Sequence, residues 1–363
     1  VTELLFFGAY DPSYSRNLII RKGWRSIGRS YSECRTGIKR KVHTRYPALL
    51  ARYLRARKGN QTIFVPEFRH KDIPIARMIS SLSGSSLVFD PLVSRYETRV
   101  LDRGDVRAGS AQAWHNRNLD RISFRLSDIV IADTWQHASF YIDSFGVPRE
   151  KLKVLPVGYD EETFKPARPR ARGEMTEILF YGSFLPLHGI DTIIDAASEL
   201  AGEEVRFTLL GEGQTLLAAK NRVDSKGIGN VRFKPAVTTE ELAYEIGHYD
   251  IVLGIFGSTP KASMVIPNKI YQALAVGRPV ITADTPALTE FFSPGEHLLA
   301  VPAGDGTALA SAILSLHKDE GISRELADRG GTYVRQRFNS VEIAKLLSII
   351  LRESGIDEGD TGK

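Results

Sequence analysis

The sequence predicts an α/β protein of two domains, each an open parallel sheet covered by helices. Three features lead there. Apolar, β-branched or aromatic runs of strand length recur throughout the 363 residues, which suits strands buried on both faces. Between them lie stretches with apolar residues at helical spacing. One polar, proline-bearing segment breaks the alternation near the middle and reads as a linker.

In the first half the strand-like runs are Leu4–Phe7, Ile63–Val65, Leu87–Phe89, Ile129–Ala132 and Val154–Val157. In the second they are Ile178–Tyr181, Arg206–Leu210, Val231–Phe233, Ile251–Ile255, Pro279–Thr282 and Leu298–Val301. The clearest helix runs from Gly189 to Ala201, where Ile190, Ile193, Ile194, Ala197 and Leu200 share a face. Thr239–His248, with Glu240 and Glu241 in its first turn, and Asp305–His317 read as further helices. Helical patterns resume after Ile322 and continue to about Glu353. The alternation implies right-handed crossovers. The expected division is a first domain at 1–158, a linker at 159–176 carrying Pro166, Pro169 and Gly173, and a second domain at 177–336. A helix at 337–354 is free to pack back toward the first domain, and 355–363 reads as a frayed end.

A hydrophobic fraction of 42% with 25% charged residues is that of a water-soluble globular chain. No run approaches the length needed to span a bilayer, and no secretory-signal pattern opens the chain. One cysteine, Cys34, excludes an intrachain disulfide framework, and an unpaired thiol points to the cytoplasm. The net charge of +5 is modest but unevenly spread. Arg16 to Lys58 holds fourteen Lys or Arg, whereas the first sixty residues contain only Glu3, Asp11 and Glu33 as acids. A local excess of about +11 calls for an anionic partner. An anionic membrane surface is expected first, placing the protein at the inner face of the cytoplasmic membrane. No nucleic-acid motif accompanies the basic stretch, so none is expected to bind.

In open α/β sheets, ligands bind beyond the carboxyl ends of the strands, where helix N-termini present free amides. Three strand ends in the second half carry suitable residues. Tyr181-Gly182-Ser183 leads through Leu185, Pro186 and Leu187 to His188 at a helix start. Leu210-Gly211-Glu212-Gly213 is a glycine-bracketed turn in which Glu212 is equally a solvated carboxylate. The third, Phe256 to Val280, is the most informative. Pro267 suits the first turn of a helix, Lys269 and Gln272 share one face of it, and Gly277 ends it. Lys261 adds a second cation upstream. A cation, an amide and a helix start at one strand end suit a diphosphate and a ribose.

These stretches resemble the donor-binding domain of retaining glycosyltransferases of family 4, the group 1 glycosyltransferases. The matching residues are Tyr181–Gly189, Leu209 with Gly211-Glu212-Gly213, and Ile266-Pro267-Asn268-Lys269 through Gly277-Arg278-Pro279-Val280. Val154 to Asp160, with Phe164 and Pro166, is similar to the family's domain junction. The resemblance spans about Ile129 to Phe338 and thins before that. It implies the GT-B fold, two Rossmann-like domains with parallel sheets facing a central cleft. It also implies transfer from a nucleotide sugar with retention and without a metal ion or other cofactor, UDP-sugar ahead of GDP-sugar. The implied donor-binding residues are Gly8, Gly182, Ser183, His188, Gly211, Glu212, Pro235, Lys261, Ile266, Pro267, Asn268, Lys269 and Gln272. Lys269 stabilises the leaving diphosphate in that reading. The chain departs from the family at four positions: Ser183 and His188 stand where Arg and Lys are usual, and Met264 and Gln272 where the paired glutamates are usual. A Gln still offers a ribose both carbonyl and amide.

The first half is then expected to hold the acceptor, a glycan or lipid-linked molecule. Tyr10, Asp11, Tyr14 and Arg16 follow the first strand and are the acceptor candidates, with Asp90 as a catalytic candidate at the end of another strand. Trp114-His115 and Thr134-Trp135-Gln136-His137 also offer themselves as cleft residues, Trp135 equally as core. Two other readings stand beside transfer: an inactive scaffold of the same fold, favoured by Met264 and Ser183, and a nucleotide-sugar epimerase.

Overall fold

The computed structural model describes residues 2–59, 61–168 and 173–357. The chain divides into two compact units, Val1–Gly158 with Phe338–Lys363, and Tyr159–Arg337.

The first unit runs β1 (Glu3–Gly8), α1 (Ser15–Ser26), β2 (Tyr31–Arg35), α2 (Val42–Ala56), β3 (Gln61–Val65), α3 (Ile73–Ser83), β4 (Leu87–Phe89), α4 (Ala111–Leu126), β5 (Ile129–Ala132), α5 (Trp135–Phe145) and β6 (Leu152–Val154). Its strands form one parallel sheet in the order β2-β1-β3-β4-β5-β6. Leu4, Leu5, Phe6 and Phe7 are all fully buried, because helices cover both faces of a central parallel strand. β2 was not foreseen. It pairs only with β1 at the sheet edge and buries one side chain, Cys34, so it carries no apolar run. It also divides the basic segment Arg16–Lys58, standing between α1 and α2. β6 begins two residues earlier than its apolar run.

The second unit continues with β7 (Thr176–Gly182), α6 (Ile190–Glu199), β8 (Val205–Gly211), α7 (Leu216–Lys226), β9 (Val231–Lys234), α8 (Thr239–Ile246), β10 (Ile251–Leu253), α9 (Asn268–Val276), β11 (Val280–Ala283), β12 (Leu299–Val301), α10 (Gly306–Lys318) and α11 (Glu320–Arg337). Its parallel sheet has the order β12-β11-β10-β7-β8-β9, so the chain reverses direction of growth after β9. The ends of β7 and β10 therefore flank the switch point where such sheets take ligands. Ile190, Ile193, Ile194 and Ala197 of α6 pack with Phe180, Phe207 and Leu253 in the core. α8 starts at Thr239 as expected and ends at Ile246, two residues short of His248, with Thr238 as its cap. Thr238 Oγ1 accepts from Glu241 N while Glu241 Oε2 accepts from Thr238 N, a reciprocal cap.

α12 (Ser340–Glu353) returns to the first unit and packs on α1. A Cβ on Gly23 would stand 1.8 Å from Ser340 O, so the contact is backbone to backbone. Residues 355–357 are not frayed: the buried Asp357 carboxylate accepts from Thr2 N at 3.1 Å and pairs with Arg29. Residues 358–363 lie outside the described residues. Of the expected linker, 159–168 belongs to the second unit, with Phe164 buried and Ala167 N donating to Val276 O at 2.9 Å. Residues 169–172 lie outside the described residues.

Candidate functional site

The second unit gathers most of its expected residues at the carboxyl ends of β7, β8 and β10. Gly182 ends β7 with φ +156°, and a Cβ there would meet His188 Cε1 at 3.0 Å and Lys269 Nζ at 3.1 Å. The backbone at Gly182 thus lies beside both His188 and Lys269. Gly211 and Gly213 do not present a carboxylate; they bring β8 onto β7. Their missing Cβ atoms would stand 2.0 Å from Gly182 O and 1.7 Å from Ser183 O. Ser183 and Glu212 themselves are exposed. Between the glycines Phe184 is buried at φ +43°, a left-handed conformation that costs a phenylalanine energy. Its carbonyl accepts from both Thr215 N and Thr215 Oγ1 at 2.9 Å, which holds it there.

The loop after β10 closes the other side. Phe256 N donates to His188 O at 3.0 Å and Gly257 N to Leu187 O at 3.1 Å. A Cβ on Gly189 would lie 2.4 Å from Gly257 N, so the two loops touch through their backbones. Pro267 caps α9 from just outside the helix, and the amides of Asn268 and Lys269 open it ahead of the first helical hydrogen bond. Ile266 and Lys261 are buried in the preceding loop, and Met264 is buried where the family's first glutamate would be. Pro235 is exposed after β9 and joins none of these residues.

Lys269 is the central group. It is 5% exposed, and its Nζ has no hydrogen-bond partner among the described residues. The amine instead stands 3.9 Å from the centre of the Phe180 ring and 5.8 Å from that of Tyr181. Burial holds it well below the usual lysine range. His188 is held well below its own range by burial and by Lys269 beside it. Its Nδ1 accepts from Leu185 N at 3.2 Å, which places the ring proton on Nε2. The Tyr181 hydroxyl shares its proton between Lys269 O at 3.2 Å and Gln272 Oε1 at 3.1 Å. Gln272 therefore turns its amide nitrogen, not its oxygen, away from Tyr181. The arrangement can receive an anion: one amine and two helix amides, with the one carboxylate of these strand ends, Glu212, exposed to solvent.

The acceptor candidates fare differently. Arg16 and Asp90 are both about 1% exposed and pair with each other at 2.6 Å. The remaining Arg16 nitrogens donate to Pro156 O and Leu155 O at 3.1 Å. Within the first unit the two side chains are buried and turned to each other, while Asp90 Oδ1 has no hydrogen-bond partner among the described residues. Tyr10 is buried against Phe6 and is likewise core. Asp11 accepts from Ser13 N and Ser13 Oγ at 2.9 and 2.7 Å and shapes the turn into α1. Tyr14 caps α1 and packs edge-on against Phe68. Gly8 belongs to this unit, where the position of its absent Cβ is 3.0 Å from Asp72 Oδ2. Trp114 and Trp135 are exposed.

Of two further groups here, Glu67 escaped the sequence reading and His137 was seen only as part of a stretch offered to the cleft. Glu67, two residues beyond β3, is buried; burial first, then Asp90, pushes its carboxyl up to about 8 against the opposing Asn17 hydrogen bond. Val-Pro-Glu reads as a turn, and nothing in it signals burial. His137 of α5 bridges two carboxylates, Asp133 at 2.6 Å and Glu97 at 2.8 Å. Their spacing, four and forty residues, gives no local motif.

The family model described as "Glycosyl transferases group 1" matches residues 176–319, nearly the whole of this constellation. Among curated relatives, the putative colanic acid biosynthesis glycosyltransferase WcaL of Salmonella typhimurium is 25% identical over 63% of this chain and 57% of its own length. The mannosylfructose-phosphate synthase of Agrobacterium fabrum is 26% identical over 62% of this chain and 53% of its own. The chain spans about half the length of the curated relatives it matches. Among solved structures, Anabaena HepE in complex with UDP superposes with a TM-score of 0.72 at 15% identity, covering 97% of this chain and 100% of that one. Sucrose-phosphate synthase from Thermosynechococcus elongatus gives 0.73 at 16% identity, covering 97% and 98%. Two six-stranded parallel sheets with these neighbours are the two Rossmann-like domains of a GT-B fold. Within that fold, residues 176–319 are the part that matches the group 1 glycosyltransferase model.

Proposed function

We propose that the chain is a retaining, metal-independent glycosyltransferase that moves a sugar from a nucleoside diphosphate sugar to a glycan or lipid-linked acceptor. The observation that carries it is the buried Lys269 amine at the start of α9, beneath Gly182 at the switch point of the second sheet. Lys269 and the α9 amides stabilise the charge that grows on the leaving diphosphate, and the diphosphate itself accepts the acceptor's proton. Gln272 offers its amide to the ribose. UDP is the first choice of nucleotide, in keeping with the UDP held by Anabaena HepE. Charge-assisted hydrogen bonds of this kind contribute about 1.5–3 kcal/mol. Lys269→Ala is therefore expected to weaken UDP binding about ten- to a hundred-fold by calorimetry, with wild-type affinity unchanged in EDTA. Equal affinities for the two proteins would remove Lys269 from the site, and loss of wild-type binding in EDTA would overturn metal independence.

The acceptor side of the proposal includes peripheral attachment to an anionic membrane. Arg16, Arg21, Arg29, Arg45 and Lys58 are paired with acids, so the charge available to a surface is smaller than the sequence count. Ile19, Ile20, Trp24 and Leu49 are fully buried. Facing outward are the loop Lys39-Arg40-Lys41 between Ile38 and Val42, Leu54 and Arg55 on α2, and Arg57 just after it. Ile38 and Leu54 are 48% and 54% exposed, an apolar component within a cationic patch. Each cation near an anionic surface contributes about 1 kcal/mol. Cosedimentation with phosphatidylglycerol vesicles should be strong at low salt, fall steeply as salt rises, and weaken in a Lys39, Arg40, Lys41→Ala triple variant. Binding no better than to neutral vesicles would assign the patch to a different anion.

A further inference from the structure

Lys269 is an unusual buried lysine. Its amine is sealed between the Phe180 ring, at 3.9 Å, and the backbone of Gly182, with no acceptor in reach among the described residues. The titratable groups that face it are His188 from the turn after β7 and Tyr181 from β7 itself. Neither supplies negative charge: His188 is a neutral ring with Nδ1 accepting from Leu185 N, and the Tyr181 hydroxyl is directed at α9. From α9, the residue three positions on is Gln272, whose oxygen is already engaged by Tyr181. An ammonium ion placed there would be desolvated and unpaired, which is among the costliest arrangements a protein can hold.

Resting on the nucleotide reading above, we propose that nucleoside diphosphate binding is proton-coupled: Lys269 waits as a neutral amine and takes up one proton as the diphosphate arrives. The incoming anion supplies the counter-charge that neither Met264 nor Gln272 can give. Its phosphate oxygens accept the hydrogen bonds that the ammonium form needs, and the flexible four-carbon stem lets the amine turn from the Phe180 ring toward them. The added proton comes from solvent and returns there when the nucleotide leaves. A burial-driven depression of the free amine, caused by desolvation alone, fits this picture. One consequence is that affinity falls as pH rises, by up to about tenfold per pH unit wherever the free amine is neutral and the bound one charged.

The test is calorimetric titration with UDP at pH 8, where its terminal phosphate is fully ionised, in phosphate and in Tris buffer. The difference in apparent enthalpy, divided by the difference in buffer ionisation enthalpy, counts protons taken up. A value close to one is expected for the wild type. Lys269→Arg, which stays charged at every accessible pH, and Lys269→Met, which is never charged, should each bind UDP with a value close to zero. Normal wild-type affinity with no proton uptake overturns this inference and leaves the nucleotide reading standing. Uptake that persists in whichever variant still binds assigns the proton to another group and overturns it too. Absence of any UDP binding by the wild type removes both readings together.

Discussion

Replacing His137 by leucine should destabilise the first unit by about 3–5 kcal/mol, the usual result of removing one partner from a buried ionic cluster. The ring is fully buried and stands between Asp133 at 2.6 Å and Glu97 at 2.8 Å, beside Tyr141. Burial by itself would lower the imidazole's pKa, but the Glu97 and Asp133 carboxylates outweigh it and push it up to about 10. The imidazolium therefore places one positive charge between two buried carboxylates, which leucine would take away. Because the folded value lies above the unfolded value of about 6.5, its stabilisation is whole below pH 6.5 and is lost as pH rises toward 10. Urea midpoints of the wild type should fall across that window. His137→Leu should start lower and lack the His137 contribution to the decline. Identical slopes for the two proteins would mean that the ring is neutral and the cluster is held by protonated acids.

His137 also shows where the sequence stops being legible. Strands buried on both faces declare themselves as apolar runs, so ten of the expected runs overlap observed strands at their cores and an eleventh, at 154–157, meets its strand at Val154. β2 does not, because an edge strand with one buried side chain needs no apolar run. The cap of α8 is Thr238, just before the expected helix, and its Thr-x-x-Glu spacing to Glu241 was legible though it was passed over. Polar groups at strand ends are harder still. Asp90 and Arg16 look like site residues to a reader of sequence, since carboxylate and guanidinium are rare in cores. Seventy-four residues apart, they are each other's partner, and no local pattern reports that. Lys269 is the opposite case. Its place at a helix start after Pro267 was readable, but its lack of a partner depends on Phe180, Gly182 and His188 converging from another strand and turn.

The glycines of the second sheet lead to the other large effect. Gly211→Ala is expected to destabilise the second unit by about 2–5 kcal/mol and to weaken UDP binding about a hundred-fold. Two terms act together. Gly211 has φ +134°, where an alanine is strained by about 1–3 kcal/mol. Its new Cβ would stand 2.0 Å from Gly182 O, a backbone atom that can yield only if the end of β7 moves, and such overpacking costs a further 1–3 kcal/mol. The movement is transmitted directly, because the place of the absent Gly182 Cβ lies about 3 Å from Lys269 Nζ and His188 Cε1. A displacement of about 1 Å in a positioned group is enough for a hundred-fold loss. Two controls isolate the backbone contact. Gly202→Ala, with open space at its Cβ and no positive φ, should leave melting temperature and affinity unchanged. Glu212→Ala removes the exposed carboxylate between the two glycines and should also leave UDP affinity within about twofold. If Gly211→Ala binds UDP as the wild type does, the β7–β8 loop contact does not shape the site. If Glu212→Ala loses binding instead, the turn acts through its carboxylate after all.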